Sequence, residues 1–505
     1  MNLFDVLERA VKHYPAKDAL RFQEASGNFY TLNYRQLFGY AERFSGGLAR
    51  LGVKKGDRVA VFLPNMLEYP IVTYGALRIG AVPVLLSSAL KSEGVGKYIE
   101  RSRVKVLVTC EELWGEASFA LSACNLEKIV VIGDSPSKQC LNLWEMLNHD
   151  IVPPKCELQP DDPAFILYTS GTTGEQKGAI LSHGNVVSNI QAVRRYTGMR
   201  NYDRVMCFLP LFHCFGQNFV MNAIFNALGT LILHKRFMPN EILESLVLNS
   251  VTMFFSIPPN YRALLNLKDI RPFETVRYFF TAADTMPEEI ALAWIGKYGR
   301  QIWEGWGLTE TSPFATYNHE TRYVPGSVGT PINGVEIGIV DEGGIKLGSG
   351  ETGEIIVRGP NVFQGYFDDT ETTREAIRNG WFFTGDIGII DGAGYLRIVD
   401  RKNDRIKVSG FSVWPREMEK FINTHFGERI KDVGIIGVPD KEKGEMPFAY
   451  LVAGSPAPAE AEIINAVENK FPGYYRLGGV RFVEQIPKTP TGKILKKELR
   501  KSEAL

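Results

Sequence analysis

The sequence carries no net charge: Lys+Arg and Asp+Glu each total 57 among 505 residues. A protein that grips nucleic acid by counterion release shows a basic surplus, so that class of function is excluded. Cysteine is scarce. Only six are present, and no two are spaced C-x-x-C, which excludes the common zinc and redox motifs. The opening MNLFDVLERAVKHYP holds acids and lacks an apolar run, so no signal peptide is expected. Reduced thiols and a cytoplasmic address are the default. Neither an internal repeat nor a low-complexity segment is found. Charge is also missing locally, since Val205–His234 contains no Asp, Glu, Lys or Arg. That length suits a membrane span. However, Pro210, Gln217, Asn218, Asn222, Asn226 and Gly229 interrupt it, so the stretch predicts a buried helix and strand in a large core.

What is present is ordinary for a folded protein: 45% hydrophobic and 23% charged residues. A chain this long is expected to split into domains, because single cores stop growing near roughly 250–300 residues. The first half alternates short β-rich runs with helix-length segments. Arg58–Leu63, Ala81–Leu86, Val104–Thr109 and Lys128–Ile132 are such runs, continued by Val251–Ile257, Val276–Ala282 and Arg300–Trp303. This rhythm predicts an α/β fold of doubly wound, mostly parallel sheets. After about Gly326 the runs shorten between Gly-rich turns, which suggests a small β-barrel subdomain over about 326–400. The last hundred residues read as a small α+β module, with helices over Pro415–Phe426 and Glu460–Phe471. The polar stretch Asp400–Asp404 is the boundary candidate, giving an N-terminal domain over 1–402 and a C-terminal one over 403–505.

Five segments carry chemistry. Tyr168–Gly178, YTSGTTGEQKG, follows a strand-like run with Gly, Ser, Thr and one Lys, which suits a phosphate. It is not a Walker loop, because that motif needs Gly-Lys-Ser/Thr beginning five residues after the first Gly, and Gln176 stands five after Gly171. A surface hairpin fits the composition equally. Glu304–Pro313, EGWGLTETSP, offers a ring between glycines and a carboxylate beside hydroxyls, suited to Mg²⁺ with a phosphate; a solvated helix start fits as well. Trp381–Asp386, WFFTGD, ends in an acid that either starts a turn or accepts ribose hydroxyls. Lys488–Lys497, KTPTGKILKK, is either a solvated basic tail or a working lysine. Pro210–Gly216, PLFHCFG, places a His on an apolar segment, which is either a core residue or a catalyst.

In content and order these segments resemble the ANL superfamily of adenylate-forming enzymes, nearest to bacterial medium- and long-chain fatty acyl-CoA synthetases. The resemblance spans nearly the whole chain. It implies ATP, Mg²⁺ and coenzyme A as cofactors and a small-molecule carboxylic acid as partner. Thr169, Ser170, Gly171, Thr172, Thr173, Gly174 and Lys177 match the loop for the β- and γ-phosphates. Trp306, where the family usually has Tyr, would stack on adenine between Gly305 and Gly307. Thr309 would contact the α-phosphate and Glu310 would hold Mg²⁺. Asp386 would bind the ribose hydroxyls, assisted by Arg401. Lys493 would bridge the substrate carboxylate and the α-phosphate. His213 would line the path between the acyl and pantetheine sites, and Gly410 and Phe411 the pantetheine tunnel. The family's C-terminal domain rotates between half-reactions on a pivot usually Lys or Asp, here Asn403.

Gly305, with Ala282 and Ala283 beside it, would border the acyl pocket. No Lys or Arg in the charge-free stretch is available for a second carboxylate, which argues against dicarboxylic acids. An aryl-acid (coumarate-type) CoA ligase would share every catalytic motif. A luciferase-like oxygenase, or another acyl acceptor, fits the motifs too. A peptide-synthetase domain would need an Asp for the substrate ammonium and a following carrier, neither expected here. Intact Glu310, Asp386 and Lys493 count against a degenerate binding protein. The basic run Lys488–Lys501 leaves peripheral membrane association open, and monomer and homodimer are both compatible.

Overall fold

The computed structural model describes all residues except 25–26, 120–123, 125, 127, 135–139, 150, 170–176, 268–272, 319–321, 490–491 and 504–505. Two large mixed sheets form the N-terminal part. At the centre of the nine-stranded sheet, Ile302–Trp306, Tyr278–Thr281, Met253–Ser256, Arg204–Cys207, Thr230–His234 and Asp18–Gln23 run parallel. At the centre of the eight-stranded sheet, Pro163–Thr169, Val82–Leu85, Arg58–Phe62, Val104–Cys110, Lys128–Ile132 and Cys140–Asn142 do the same. Antiparallel strands close one edge of the eight-stranded sheet and both edges of the nine-stranded one. Val82–Leu85 and Met253–Ser256 are buried at every position, as continuous apolar runs between covered faces should be.

The charge-free stretch is a buried helix and strand, as its punctuation predicts. Phe215–Asn222 is a π-helix, continued by the α-helix Ala223–Asn226 and the strand Thr230–His234. Two of its buried asparagines are partnered inside the core. Tyr74 Oη donates to Asn222 Oδ1 (2.9 Å), and Asn222 Nδ2 donates to Asn218 Oδ1 (2.9 Å). Among the described residues no helix is long and apolar enough to cross a membrane. The six cysteines are free thiols.

The β-rich region is a five-stranded antiparallel sheet branched at Trp381–Ile390. Among the described residues its outer strands do not pair with each other, so the barrel is open. The C-terminal part has its own sheet, built on the long hairpin Ile430–Asp440 and Gly444–Ala453, with its own apolar core under the helices Pro415–Phe426 and Glu460–Lys470.

Candidate active site

Parallel strands deliver their carboxyl ends to one place, where ligands of open α/β sheets bind. The strand Tyr278–Thr281 runs into Ala282 and Ala283, its neighbour Ile302–Trp306 ends in the tryptophan, and Arg204–Cys207 leads to His213. All of these line one cavity of about 440 Å³. The wall is completed by Thr169, Lys177, Gly305, Gly307, Thr309, Glu310, Arg401 and Lys493. Asp386 lines an adjoining space of about 470 Å³ that shares Trp306, Arg401 and Lys493 with the first. Ser170, Gly171, Thr172, Thr173 and Gly174 lie outside the described residues. Gly410 and Phe411 line neither space; Phe411 is exposed and stacks on Tyr474 at 4.6 Å.

Asp386 and Arg401 face each other because the strands Trp381–Ile390 and Leu396–Arg401 pair in that register. Arg401 Nε lies 3.0 Å from Asp386 Oδ1, yet off the direction of a hydrogen bond, so among the described residues this buried oxygen has no hydrogen-bond donor. Trp306 Nε1 donates to the other oxygen, Oδ2, at 3.0 Å. Glu310 is buried, which pushes its carboxyl upward, and Tyr366 Oη donates to its Oε1 at 2.9 Å. The ring of Tyr366 also sits under Lys177 Nζ, 5.4 Å from its centroid. Tyr366 escaped the sequence reading because a remote pairing brings it in: Tyr366 sits opposite Ala179.

Burial drives His213 down to about 4, with the Lys493 charge acting in the same direction, so the imidazole is neutral at pH 7. The Phe215 amide donates to Nδ1 at 3.3 Å, which leaves the proton on Nε2. Lys493 is half-buried at the cavity wall. Desolvation lowers its pKa, as does Arg401, while Asp386 and Asp284 oppose the shift. Its turn is held by Thr489, whose Oγ1 accepts from the Lys493 amide at 3.1 Å. The helix Pro415–Phe426 is tied to the N-terminal part nearby: Arg416 pairs with Asp284 and donates to Thr285 Oγ1 at 2.9 Å.

The glycines are required by space. A Cβ on Gly307 would lie 1.5 Å from the Pro313 carbonyl oxygen, a backbone atom that cannot step aside. Gly307→Ala is therefore expected to cost about 3 kcal/mol of stability, read by urea unfolding. Ala283 adopts φ 72° without being glycine, a strained conformation of the kind that clusters at functional sites.

The family model described as AMP-binding enzyme matches residues 7–367, and that of the AMP-binding enzyme C-terminal domain matches residues 417–493. The chain belongs to the AMP-binding enzyme family. A long-chain-fatty-acid–CoA ligase of Escherichia coli O157:H7 is 32% identical, over 99% of this chain and 94% of that one. The 4-coumarate–CoA ligase 3 of Oryza sativa subsp. japonica is 30% identical, over 94% and 87%. ATP-bound MatB from Rhodopseudomonas palustris superposes with a TM-score of 0.90 at 29% identity and 99% coverage of both chains; its apo form gives 0.78.

This member of the AMP-binding enzyme family is an adenylate-forming acid–CoA ligase that uses ATP, Mg²⁺ and coenzyme A. The site fits Mg²⁺ in the manner usual for that ion, through one or two carboxylates plus substrate phosphates. Glu310 supplies a buried carboxylate, and among the described residues no group of three or more His, Cys, Asp or Glu forms a cage that would hold a metal alone.

Proposed function

We propose that the substrate is an apolar monocarboxylic acid, a medium- or long-chain fatty acid, activated as its acyl-adenylate and transferred to coenzyme A. One observation carries this reading: the cavity ends against a wall of Phe215, Phe219, Phe280 and Phe314, with Phe219 and Phe280 stacked at 4.7 Å. Its lining cations are Lys177, Arg401, Lys488 and Lys493. The family roles use the first, second and fourth, and Lys488 is paired with Asp432 at 2.6 Å. No described cation of the wall is left for a second carboxylate. The flat ring faces also suit an aryl acid, which is the second reading.

In the first half-reaction a carboxylate oxygen of the acid attacks the α-phosphorus of ATP. A P–O bond forms, and the bond to the pyrophosphate oxygen breaks. Lys493 stabilises charge gathering on those oxygens. Lys177, together with the loop from Thr169, holds the outer phosphates, and Thr309 meets the α-phosphate. Glu310 would hold Mg²⁺, which when bound would supply charge neutralisation for the pyrophosphate. Trp306 stacks on adenine, and Asp386 with Arg401 receives the ribose. In the second half, the sulfur of CoA attacks the acyl carbon; a C–S bond forms and the C–O bond to AMP breaks. His213, neutral and half-buried, flanks that path without adding charge. Gly410 and Phe411 then approach by rotation of the C-terminal domain, taken to begin at 403. The same reading puts the enzyme in the cytoplasm, where ATP and CoA are supplied.

A panel of saturated acids of increasing length, with 4-coumarate and benzoate, tests the substrate class by pyrophosphate release. Preference for the aryl acids would overturn the fatty-acid reading. Gly305 gives a sharper probe. A Cβ there would meet the Thr316 carbonyl at 2.7 Å and ring carbons of Phe280 and Phe314 at 2.9 Å. Gly305→Ala is expected to push those rings into the cavity and move the optimum to shorter acids. An unchanged chain-length profile would contradict the placement of this wall.

A further inference from the structure

The helix Pro415–Phe426 begins without a cap of its own. Trp414, which precedes it, offers no capping oxygen, and Pro415 has no N–H, so the Arg416 amide is the first donor the helix leaves unpaired. Its acceptor comes from the strand Leu396–Arg401, on the other side of the junction: Asp400 Oδ2, at 2.9 Å. Asp400 is 3% exposed, and its second oxygen, Oδ1, accepts from the Arg401 amide at 2.7 Å, so the carboxylate is held facing the helix. A carboxylate there also meets the positive end of the helix dipole. One turn further on, Glu419 Oε1 pairs with Lys496 at 2.9 Å and accepts from the Ile435 amide at 2.8 Å. Lys496 stands three residues after Lys493. A line of shielded contacts therefore runs from Asp400 through the helix to the segment of Lys493. The Arg416 side chain makes the same crossing to Asp284, but that pair is 31% and 52% exposed, and solvent screens it.

We propose that Asp400 is a positioning residue for adenylation: it caps the first helix of the C-terminal part in the arrangement that brings Lys493 to the site, and so latches that arrangement. This rests on the reading that the C-terminal part rotates about 403. Asp400 lies before that pivot and Arg416 after it. Rotation therefore breaks the cap, while the Lys496–Glu419 pair travels with the helix. The first amide of the helix is then left to water, which disfavours the rotated arrangement. A cap of this size biases the balance between the two arrangements without preventing the exchange.

Single-turnover rates of the two half-reactions test this. Adenylation is read as pyrophosphate at saturating ATP and acid, and transfer as acyl-CoA from supplied acyl-adenylate. With quick interchange each rate scales with the share of its arrangement, so their ratio follows the balance between the two. Asp400→Ala is expected to lower the ratio of adenylation to transfer about five- to tenfold, the scale of losing a helix cap. Transfer should be no slower than in the unaltered enzyme. Asp400→Asn, which keeps a capping oxygen, should recover part of the loss. An unchanged ratio, or equal loss in both halves as a merely structural residue would give, overturns the proposal. Asp400→Asn no better than Asp400→Ala overturns it as well. Asn403→Pro tells these failures apart from failure of the rotation: unimpaired transfer in that variant removes the rotation and the latch with it. One arm needs no substrate. Trypsin cleavage after Arg405, in the junction, should quicken by a similar factor in Asp400→Ala well below its melting temperature, because cleavage follows the opened population. An unchanged cleavage rate would overturn the latch whichever acid the enzyme activates.

Discussion

Lys493→Ala is expected to slow acyl-adenylate formation by about 100- to 1,000-fold, the cost of removing one preorganised charge partner from a developing oxyanion. The lysine is half-buried and lines both spaces at the site, which places its charge where the two meet. Thioester formation from supplied acyl-adenylate should persist, because that half is proposed to use the rotated domain. Equal loss in both halves would refute the role. The pH profile adds a check. Burial holds the Lys493 pKa below the 10.5 of a free lysine. As pH rises, its charge is lost earlier than that of a free lysine, so adenylation should decline on the alkaline side at a pH below 10.5. Lys493→Arg, which stays charged, should lose that decline even if it is slower.

Asn403→Pro is expected to abolish transfer to CoA while acyl-AMP and pyrophosphate still form at near-normal single-turnover rate. The neighbours of Asn403 are anchored to different parts of the protein. Lys402 Nζ pairs with Glu354 of the antiparallel sheet at 2.7 Å, and Asp404 pairs with Arg500 of the last helix at 3.2 Å. A rotation therefore concentrates at the residue between them. Partly exposed pairs such as Arg405–Glu342 and Arg416–Asp284 reach back across the junction and must break. Each is worth only about 0–1 kcal/mol, so they bias the arrangement without locking it. Proline fixes φ near roughly −65° and restricts the preceding residue. In this structure Lys493 lines the site. A proline variant trapped there should make adenylate only. Unimpaired thioesterification, with thermal melting as a control for misfolding, would move the pivot elsewhere.

Much of this was legible in the sequence because the signals are local. Parallel strands buried on both faces read as short apolar runs, and the helix Pro415–Phe426 has the predicted bounds. Ala179–Leu181 reads as a second strand after the Gly-rich segment, and it lies within the strand Lys177–Ser182, antiparallel to Pro163–Thr169. What escaped is non-local or depends on side-chain direction. The strand Asp18–Gln23 pairs with Thr230–His234 across some two hundred residues. Tyr366 reaches Glu310 only because Gly365–Tyr366 adds to the edge of the eight-stranded sheet. The π-helix that brings Phe215 and Phe219 to the cavity has i→i+5 spacing, which no helical periodicity announces. Trp306 was visible as a departure from the family's tyrosine, but its bond to Asp386 depends on one strand ending beside the middle of a distant one, Trp381–Ile390.

In the proposed reaction one site activates an apolar acid on ATP and passes it to CoA. Following pyrophosphate, AMP and acyl-CoA together, in reactions with ATP, Mg²⁺ and a fatty acid, tests it most directly. Without CoA, a single turnover of pyrophosphate is expected, with acyl-AMP retained on the enzyme. With CoA, steady release of pyrophosphate, AMP and acyl-CoA in equal amounts is expected. Pyrophosphate release that ignores the acid, or AMP released in excess of acyl-CoA when CoA is saturating, would contradict it.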